Sequence, residues 1–273
     1  MTLKAQPTSQ EDPASGRARV LLISGASRGI GAATAKLCAQ QGWDIAVNYS
    51  RDALAAQRVV AEVRALGRRA FAVQADVADA AAVEAMYAAI DTHLGPVSGL
   101  VNNAGVVDVA STVAQMSSER LQRMFAVNVY GSFHCARAAL QRMSTLHARP
   151  EHRAAGGGRG GVIVNVSSSA ARTGGAGQYV DYAAAKGAID TFTIGLAREV
   201  AAEGVRVNAV RPGITDTEIH ASGGQPDRAW QLAGQIPLQR PGRPEEIAAA
   251  IAWLLSDASS YSTGALLDVS GGR

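Results

Sequence analysis

The chain has 273 residues, of which 47% are hydrophobic and 18% charged, and this composition predicts one large domain with a sizeable core rather than two small ones. Its formal net charge is only +3, and its 26 basic residues are spread along the sequence, which argues against a nucleic-acid partner. No run reaches membrane-spanning length and the polar residues 1–18 lack a signal peptide's apolar core, so we expect a cytoplasmic protein with a flexible N-terminal tail and no membrane partner.

Short runs rich in β-branched residues alternate with longer Ala-rich segments. The runs that predict strands are 20–24, 44–48, 70–74, 99–102, 162–167, 205–210 and 266–269. Apolar residues recur at helical spacing over 32–41 and 53–66, so each crossover has room for a helix. The alternation predicts that residues 19–273 form a single α/β domain of the Rossmann type, a doubly wound parallel sheet with helices on both faces.

A glycine-rich loop follows the first predicted strand and leads directly into a helix. Glycines let the backbone turn tightly and approach a pyrophosphate, whose charge is met by amides at the helix N-terminus. The spacing departs from the Gly-x-Gly-x-x-Gly fingerprint, so the motif gains its weight from its place between a strand and a helix. The loop predicts dinucleotide binding through Gly25, Ser27, Arg28, Gly29, Ile30 and Gly31.

The second predicted strand runs into Asn48, Tyr49, Ser50 and Arg51, where a carboxylate that reads the ribose of NAD would be expected. No acid stands there, so nothing repels an adenosine 2′-phosphate. Arg28 and Arg51 are placed to receive that phosphate. The hydroxyl of Ser27 or Ser50 would add hydrogen bonds. The segment therefore predicts NADP rather than NAD.

Two further strand ends contribute to the predicted cofactor site. Asp76 and Val77 follow the third strand, and Asp76 could accept a hydrogen bond from the adenine amino group or cap the next helix. The small residues after the fourth strand would let the backbone pass close to the cofactor ribose, and they are Asn103, Ala104 and Gly105.

Tyr182 and Lys186 stand four residues apart in an Ala-rich helical stretch, so both side chains project from the same face. A fixed ammonium near a phenol favours the phenolate, which would fit Tyr182 for acid/base chemistry near neutral pH. The fifth strand ends in serines at 167–169, at the edge where open α/β sheets bind ligands. Asn128 lies among apolar residues in a helical segment, where its amide needs a water chain or a neighbouring backbone as partner.

The turn after the sixth strand would face the nicotinamide through Pro212, Gly213, Ile214 and Thr215. Residues 214–237 are expected to form a mobile lid over the substrate. This segment is rather polar, which favours a small hydroxylated substrate such as a sugar, a polyol or an oxo-ester over a steroid; its polar and aromatic residues include Thr215, Thr217, Glu218, His220, Trp230 and Gln235.

Residues 144–161 form a glycine-rich insertion that we predict to be flexible, without regular structure or a known role. Its His147 and His152 have no acidic or cysteine partners, so we predict no metal. Cys38 and Cys135 lie in helix-like segments without metal-ligand spacing and are read as small buried residues in a reducing compartment.

From residue 20 to 272 these elements, in this order, resemble the classical NADP-preferring branch of the short-chain dehydrogenase/reductase family. The resemblance implies a dinucleotide-binding catalytic domain that interconverts a carbonyl and a secondary alcohol on a small substrate. It further implies that Tyr182 is the general acid/base, that Lys186 holds the nicotinamide ribose and lowers the Tyr182 pKa, that a serine orients the substrate oxygen, and that Asn128 supports a proton-relay water.

Two alternatives to that activity remain open. A 3-oxoacyl-carrier-protein reductase would need a basic patch near the pocket for its acidic carrier, and Arg172 and Arg240 are the candidates for it. A catalytically inactive nucleotide-binding regulator would keep the fold without turnover, although it would place no demand on all four catalytic residues.

The identity of the catalytic serine also has two solutions. The commonest family spacing counts back thirteen residues from Tyr182 to Ser169, whereas the strand motif aligns Ser168. We favour Ser168, because the glycine-rich run 170–180 can absorb one extra residue, while a shift within the strand would turn the side chain to the other face.

Residues 114–146 and 180–202 are predicted to be long helices with small or apolar residues on more than one side. Only one face of each can pack on the sheet, so we expect a second copy of the chain to cover the other. The apolar strand 265–269 offers a second contact. The family resemblance likewise implies a homotetramer.

Overall fold

In residues 19–273, the part of the chain that the computed structural model describes, seven parallel strands form one sheet in the order β3-β2-β1-β4-β5-β6-β7. The predicted tail, residues 1–18, lies outside the described residues. The strands are β1 (Arg19–Ile23), β2 (Trp43–Tyr49), β3 (Ala70–Gln74), β4 (Gly99–Asn102), β5 (Gly161–Val166), β6 (Val205–Pro212) and β7 (Leu266–Val269). Chain order reverses between β1 and β4, which is the arrangement of a Rossmann-type sheet, so the predicted fold class is confirmed.

Helices connect the strands and cover both faces of the sheet. They are α1 (Gly29–Gln40), α2 (Ala53–Ala65), α3 (Ala80–His93), α4 (Ser118–Phe125), α5 (Gly131–Met143), α6 (Pro150–Ala154), α7 (Ala170–Thr173), α8 (Val180–Val200), α9 (Ile219–Ser222), α10 (Arg228–Gln231) and α11 (Pro244–Leu255). Carboxylates begin two of them, since Asp52 accepts from the amide of Ala55 and Asp79 from that of Ala81. Across residues 19–273, no helix is long and apolar enough to cross a membrane.

The core consists of two apolar layers, one on each face of the sheet. α3, α5 and α8 supply one layer, with Tyr87 fully buried, and α1, α2 and α11 supply the other. Cys38 and Cys135 each lie in one of these layers, and burial raises the pKa of each thiol to about 12. They are therefore unreactive packing residues, as the sequence indicated.

Two predicted segments differ from the observed ones. The helix predicted over 114–146 begins at Ser118, ends at Met143, and is interrupted by a π-helical turn over Ala126–Tyr130. The segment 144–161 was predicted to lack regular structure, and this was wrong for α6. The amide of Gly158 also donates to the carbonyl of Arg142 at 2.7 Å, which ties the segment to the end of α5. Proline at the first position of α6 and the glycines after it explain why this helix is so short.

Candidate active site

A cleft of about 880 Å³ opens along the carboxyl ends of the strands, where open α/β sheets bind their ligands. The structure brings to it every predicted cofactor residue except Gly31 and every predicted catalytic residue except Asn128. Those that line it are Gly25, Ser27, Arg28, Gly29, Ile30, Asn48, Tyr49, Ser50, Arg51, Asp76, Val77, Asn103, Ala104, Gly105, Ser168, Tyr182, Lys186, Pro212, Gly213, Ile214 and Thr215.

The glycine-rich loop is held in place by two asparagines. The amide of Gly25 donates to Asn48 Oδ1 at 3.1 Å, and Asn103 Nδ2 donates to the carbonyl of Gly25 at 3.0 Å. Gly25 and Gly29 have φ of +62° and +54°, a region that glycine adopts without strain. A Cβ on Gly31 would lie 2.6 Å from Asn103 Nδ2 and 2.7 Å from the carbonyl oxygen of Gly25. Gly31 therefore supports the loop from behind, whereas the others face the cleft.

The adenosine end of the cleft carries positive charge. Arg28 and Arg51 are exposed on its wall, and a third guanidinium, that of Arg123 on α4, binds Asp76 at 2.9 Å. Partial burial alone would raise the Asp76 pKa, but hydrogen bonds from Arg123 and the Ala78 amide, with the positive charges of Arg123 and Arg51, hold it below its usual value. Asp79 caps α3, so the capping role considered for Asp76 was wrong.

Lys186 is 4% exposed, and its Nζ donates to the carbonyl oxygen of Val166 at 2.7 Å. Burial lowers the pKa of Lys186 to about 8, with the charge of Asp190 acting in the opposite direction. The ammonium lies 5.7 Å from the centroid of the Tyr182 ring. Burial likewise raises the pKa of Tyr182, and a hydrogen bond from Ser168 opposes that rise. Lys186 is expected to lower the Tyr182 pKa, but burial of the phenol has the largest effect on this pKa and gives a net rise.

The three serines after β5 have different surroundings. Ser167 is buried and donates to the carbonyl of Lys186 at 3.1 Å, which ties the strand to α8. The hydroxyl of Ser168 lies close enough to Tyr182 to lower its pKa, and its Oγ accepts from the amide of Ala170 at 3.1 Å. Ser169 lines the cleft, and its amide donates to the carbonyl of Pro212. The structure therefore brings Ser168, not Ser169, to Tyr182.

Asn128 is buried in the π-helical turn, one step behind the cleft wall. Its Nδ2 donates to the carbonyl of Val106 at 3.0 Å, and its Oδ1 accepts from the Val106 amide at 3.2 Å. The neighbouring backbone is therefore one partner of this amide. A Cβ on Gly105 would lie 2.9 Å from Asn128 Oδ1 and 3.6 Å from Lys186 Nζ, so only glycine fits between these two side chains.

The predicted lid crosses the cleft, but not all of its residues face inward. Thr215, Thr217, Glu218 and His220 line the cleft, whereas Gln235 does not and Trp230 is 63% exposed and bound to Asp216. Burial lowers the pKa of His220, whose Nε2 lies 2.9 Å from the carbonyl oxygen of Thr215. Several residues of the cleft wall were not predicted from the sequence, among them Arg123, Gln178, Tyr179 and Arg228.

Comparisons with known proteins agree with this geometry. A family model described as Enoyl-(Acyl carrier protein) reductase matches residues 25–273. The Uncharacterized oxidoreductase YgfF of Escherichia coli K12 is 51% identical over 254 residues, covering 93% of this chain and 99% of that protein. The 3-oxoacyl-[acyl-carrier-protein] reductase FabG of Staphylococcus aureus is 36% identical over 251 residues, covering 92% and 96%. A solved short chain dehydrogenase from Burkholderia cenocepacia in complex with NADP is 32% identical, with a TM-score of 0.82 and coverage of 94% and 98%.

Proposed function

Because the chain belongs to the short-chain dehydrogenase/reductase family of oxidoreductases, we propose that it is an NADP(H)-dependent enzyme that interconverts a carbonyl and a secondary alcohol on a small substrate. The observation that carries the proposal is that Ser168, Tyr182 and the buried Lys186, one helical turn after Tyr182, line the same cleft at the carboxyl ends of the strands. Reduction is the proposed physiological direction, as expected for NADPH.

The residues present fit a dinucleotide with a 2′-phosphate. Glycines at 25 and 29 leave the cleft side of the loop without side chains that would block a pyrophosphate at the start of α1. Arg28 and Arg51 would hold the 2′-phosphate, since Asn48 and Tyr49 stand where a carboxylate would repel it. The complex of the Burkholderia cenocepacia structural neighbour with NADP supports this choice. When bound, the reduced nicotinamide supplies the two electrons and the hydrogen that the carbonyl carbon takes up.

The chain's own residues would then manage the proton. Tyr182, kept neutral by burial, donates its phenolic proton to the substrate oxygen as negative charge develops there. Ser168 donates a hydrogen bond to the same oxygen and holds it in line with Tyr182. The Lys186 ammonium stabilises the phenolate that remains. Asn128 would keep the backbone at Val106 and the space beside Lys186 in place for a relay water.

NADPH consumption with a panel of aldehydes and ketones tests this proposal. We expect turnover of at least one neutral carbonyl compound and no turnover in its absence. Binding of NADPH without turnover of any carbonyl on the panel would favour the inactive regulator instead. The presence of Ser168, Tyr182 and Lys186 together argues against that alternative.

The carrier-protein alternative draws support from the relative in Staphylococcus aureus. The two arginines proposed for a carrier patch are both ion-paired, Arg172 with Asp268 at 2.7 Å and Arg240 with Glu246 at 2.6 Å. Their charge is thus already balanced, and we keep the small free substrate as the proposal. Turnover of a 3-oxoacyl group on carrier protein at least tenfold more efficient than on a short free thioester would reverse the preference.

We also propose a homotetramer. Phe133 on α5 is 48% exposed, and its ring centroid lies 4.0 Å from that of Phe192 on α8, with the two rings tilted by 33°. These two helices therefore share an apolar patch. Trp253 on α11 is 44% exposed beside β7, at a second such surface. Light scattering should give the mass of four subunits, and Phe133→Glu should lower it, whereas Leu54→Glu, at a residue 76% exposed elsewhere, should not. A fully active single subunit would contradict the proposal.

A cytoplasmic location is proposed as well. It rests on the two buried, unpaired cysteines, since unpaired thiols are usual in a reducing compartment.

A further inference from the structure

We propose that Arg228 binds an anionic group of the substrate, so that the preferred substrates are oxo-compounds that carry a carboxylate or a phosphate a few bonds from the carbonyl. This inference rests on the proposed function and names its substrate class. The inference is argued from the path of the lid across the cleft and from the hydrogen-bond partners of the Arg228 guanidinium.

The lid carries a negative side chain to one part of the cleft wall and a positive side chain to another. Near its start, Thr217 and Glu218 lie 3.4–3.7 Å from the point that a Cβ on Gly29 would occupy, so the carboxylate of Glu218 stands at the glycine-rich loop. Farther along, Gly223 passes the hydroxyl of Tyr179, and Arg228 begins α10. The guanidinium of Arg228 lies beside Gln178 and Tyr179, the residues that precede the catalytic helix α8.

Arg228 is partly buried in the cleft wall, and its hydrogen-bond partners are neutral. Its Nη1 donates to Gln225 Oε1 at 2.6 Å and its Nη2 to Gln178 Oε1 at 2.7 Å, while its guanidinium lies 5.1 Å from the centroid of the Tyr179 ring. Within residues 19–273, no carboxylate lies in ion-pair range of it. This differs from Arg123 in the same cleft, which is bound to Asp76.

The other titratable groups nearby do not cancel this charge. Burial, together with the positive charge of Arg228, lowers the pKa of His220, so its imidazole is neutral at neutral pH. Asp216 is exposed and accepts from the indole of Trp230 at 3.1 Å. A guanidinium with amide partners only can exchange them for the two oxygens of a carboxylate or phosphate, which it binds more strongly through its planar fork.

The position of Arg228 relative to the catalytic residues sets the size of the substrate. Tyr179 immediately precedes α8 and lies three residues before Tyr182, about one helical turn. Arg228 lies over the ring of Tyr179, and both line the same cleft as the phenol of Tyr182 that would donate the proton. A substrate whose carbonyl meets Tyr182 and Ser168 would thus present its anion to Arg228 across a few bonds.

Matched substrate pairs test the inference. Wild type, Arg228→Gln, Arg228→Lys and the control Arg172→Gln would be assayed with NADPH on 4-acetylbenzoate against methyl 4-acetylbenzoate, and on dihydroxyacetone phosphate against dihydroxyacetone. Arg172→Gln removes the same charge from a residue that is close in sequence to the cleft but does not line it. The two pairs distinguish a carboxylate from a phosphate as the preferred anion.

We expect the wild type to prefer the anionic member of at least one pair, and Arg228→Gln to lower kcat/KM for that member by roughly 10–100-fold, mainly through KM. The neutral member should change by less than about twofold, and Arg228→Lys should recover part of the loss. Wild-type turnover of neutral substrates without a preference for anions would overturn the inference and leave the proposed function standing. An equal loss on both members, or the same loss in Arg172→Gln, would also overturn it. No turnover of any carbonyl would overturn both.

Discussion

The ammonium of Lys186 donates a 2.7 Å hydrogen bond to the carbonyl oxygen of Val166, the last residue of β5. The catalytic helix is thereby joined to the strand that leads to Ser168, and the positive charge is held inside the protein at 4% exposure. Such a charge destabilises the fold unless it is compensated, and burial accordingly lowers the Lys186 pKa from 10.5 to about 8. The buried Lys186 charge therefore lowers the free energy of unfolding, and its pH dependence can be measured.

The first prediction concerns stability against pH in Lys186→Met. Below about pH 8 both the folded and the unfolded chain carry the Lys186 charge, and the folded chain bears the full penalty. Between about pH 8 and the unfolded value of 10.5, only the unfolded chain stays protonated, so wild-type stability rises with pH. Relative to Lys186→Met, the wild type should therefore gain on the order of 2–3 kcal/mol between about pH 7 and about pH 10.

Urea unfolding of both proteins across that range measures the difference. Lys36→Met is the matched control, since the Lys36 side chain is 44% exposed and pairs with Glu62 at the surface. A difference between wild type and Lys186→Met that does not change with pH would contradict the buried charge.

The second prediction is that Tyr182→Phe binds NADPH as the wild type does but turns over carbonyl substrates about 10²–10⁴-fold more slowly. The ring still fills its place on α8, and only the hydroxyl that would donate the proton is lost. Fluorescence titration gives the binding and NADPH consumption gives the rate. Tyr261→Phe, at a fully exposed tyrosine, serves as control. Wild-type turnover by Tyr182→Phe would exclude Tyr182 as the acid.

The third prediction separates the two serines. Ser168→Ala removes the hydroxyl that lies beside Tyr182 and should lower kcat by about 10²-fold or more, as loss of a hydrogen bond to a developing oxyanion does. Ser169→Ala leaves that hydroxyl in place and should lower kcat much less. The reverse order of the two kcat values would transfer the role to Ser169.

Cofactor choice gives the fourth prediction. Arg51→Asp places a carboxylate on the cleft wall where the 2′-phosphate would lie. It should therefore weaken the binding of NADPH by at least about tenfold and the binding of NADH far less. Arg58→Asp, at an exposed position on α2 outside the cleft, makes the same charge change as a control. Calorimetric titration with each nucleotide decides the matter. Equal weakening by both variants would mean that Arg51 acts only through its contribution to overall charge.

The cofactor half of the cleft could be predicted from the sequence because its residues directly follow strands, and the ends of parallel strands meet at one edge. Arg123, Gln178 and Arg228 reach the same cleft from α4, the segment before α8 and the lid, so no local pattern marks them. The net direction of the Tyr182 pKa could not be predicted from the sequence for a related reason. Spacing in a helix fixes the nearness of Lys186, but the burial that dominates that pKa depends on the whole tertiary packing.

The last prediction uses two glycines that differ in their surroundings. Gly31→Ala would put a Cβ 2.6 Å from Asn103 Nδ2 and 2.7 Å from the carbonyl of Gly25, which must displace the asparagine that holds the loop. Gly187, inside α8, has no atom within 4 Å of its would-be Cβ. Gly187→Ala should therefore stabilise the protein by about 0.5–1 kcal/mol through higher helix propensity and leave NADPH affinity unchanged.

Gly31→Ala should instead lower the melting temperature and weaken NADPH binding by at least about tenfold, because the loop amides move away from the pyrophosphate. Adding Asn103→Ala to Gly31→Ala removes the nearest clashing atom but not the carbonyl of Gly25, so it should restore part of the stability and none of the affinity. Thermal unfolding and calorimetric titration of the variants provide both readouts. Unchanged NADPH affinity in Gly31→Ala would mean that the loop geometry held by Asn103 is not what receives the dinucleotide.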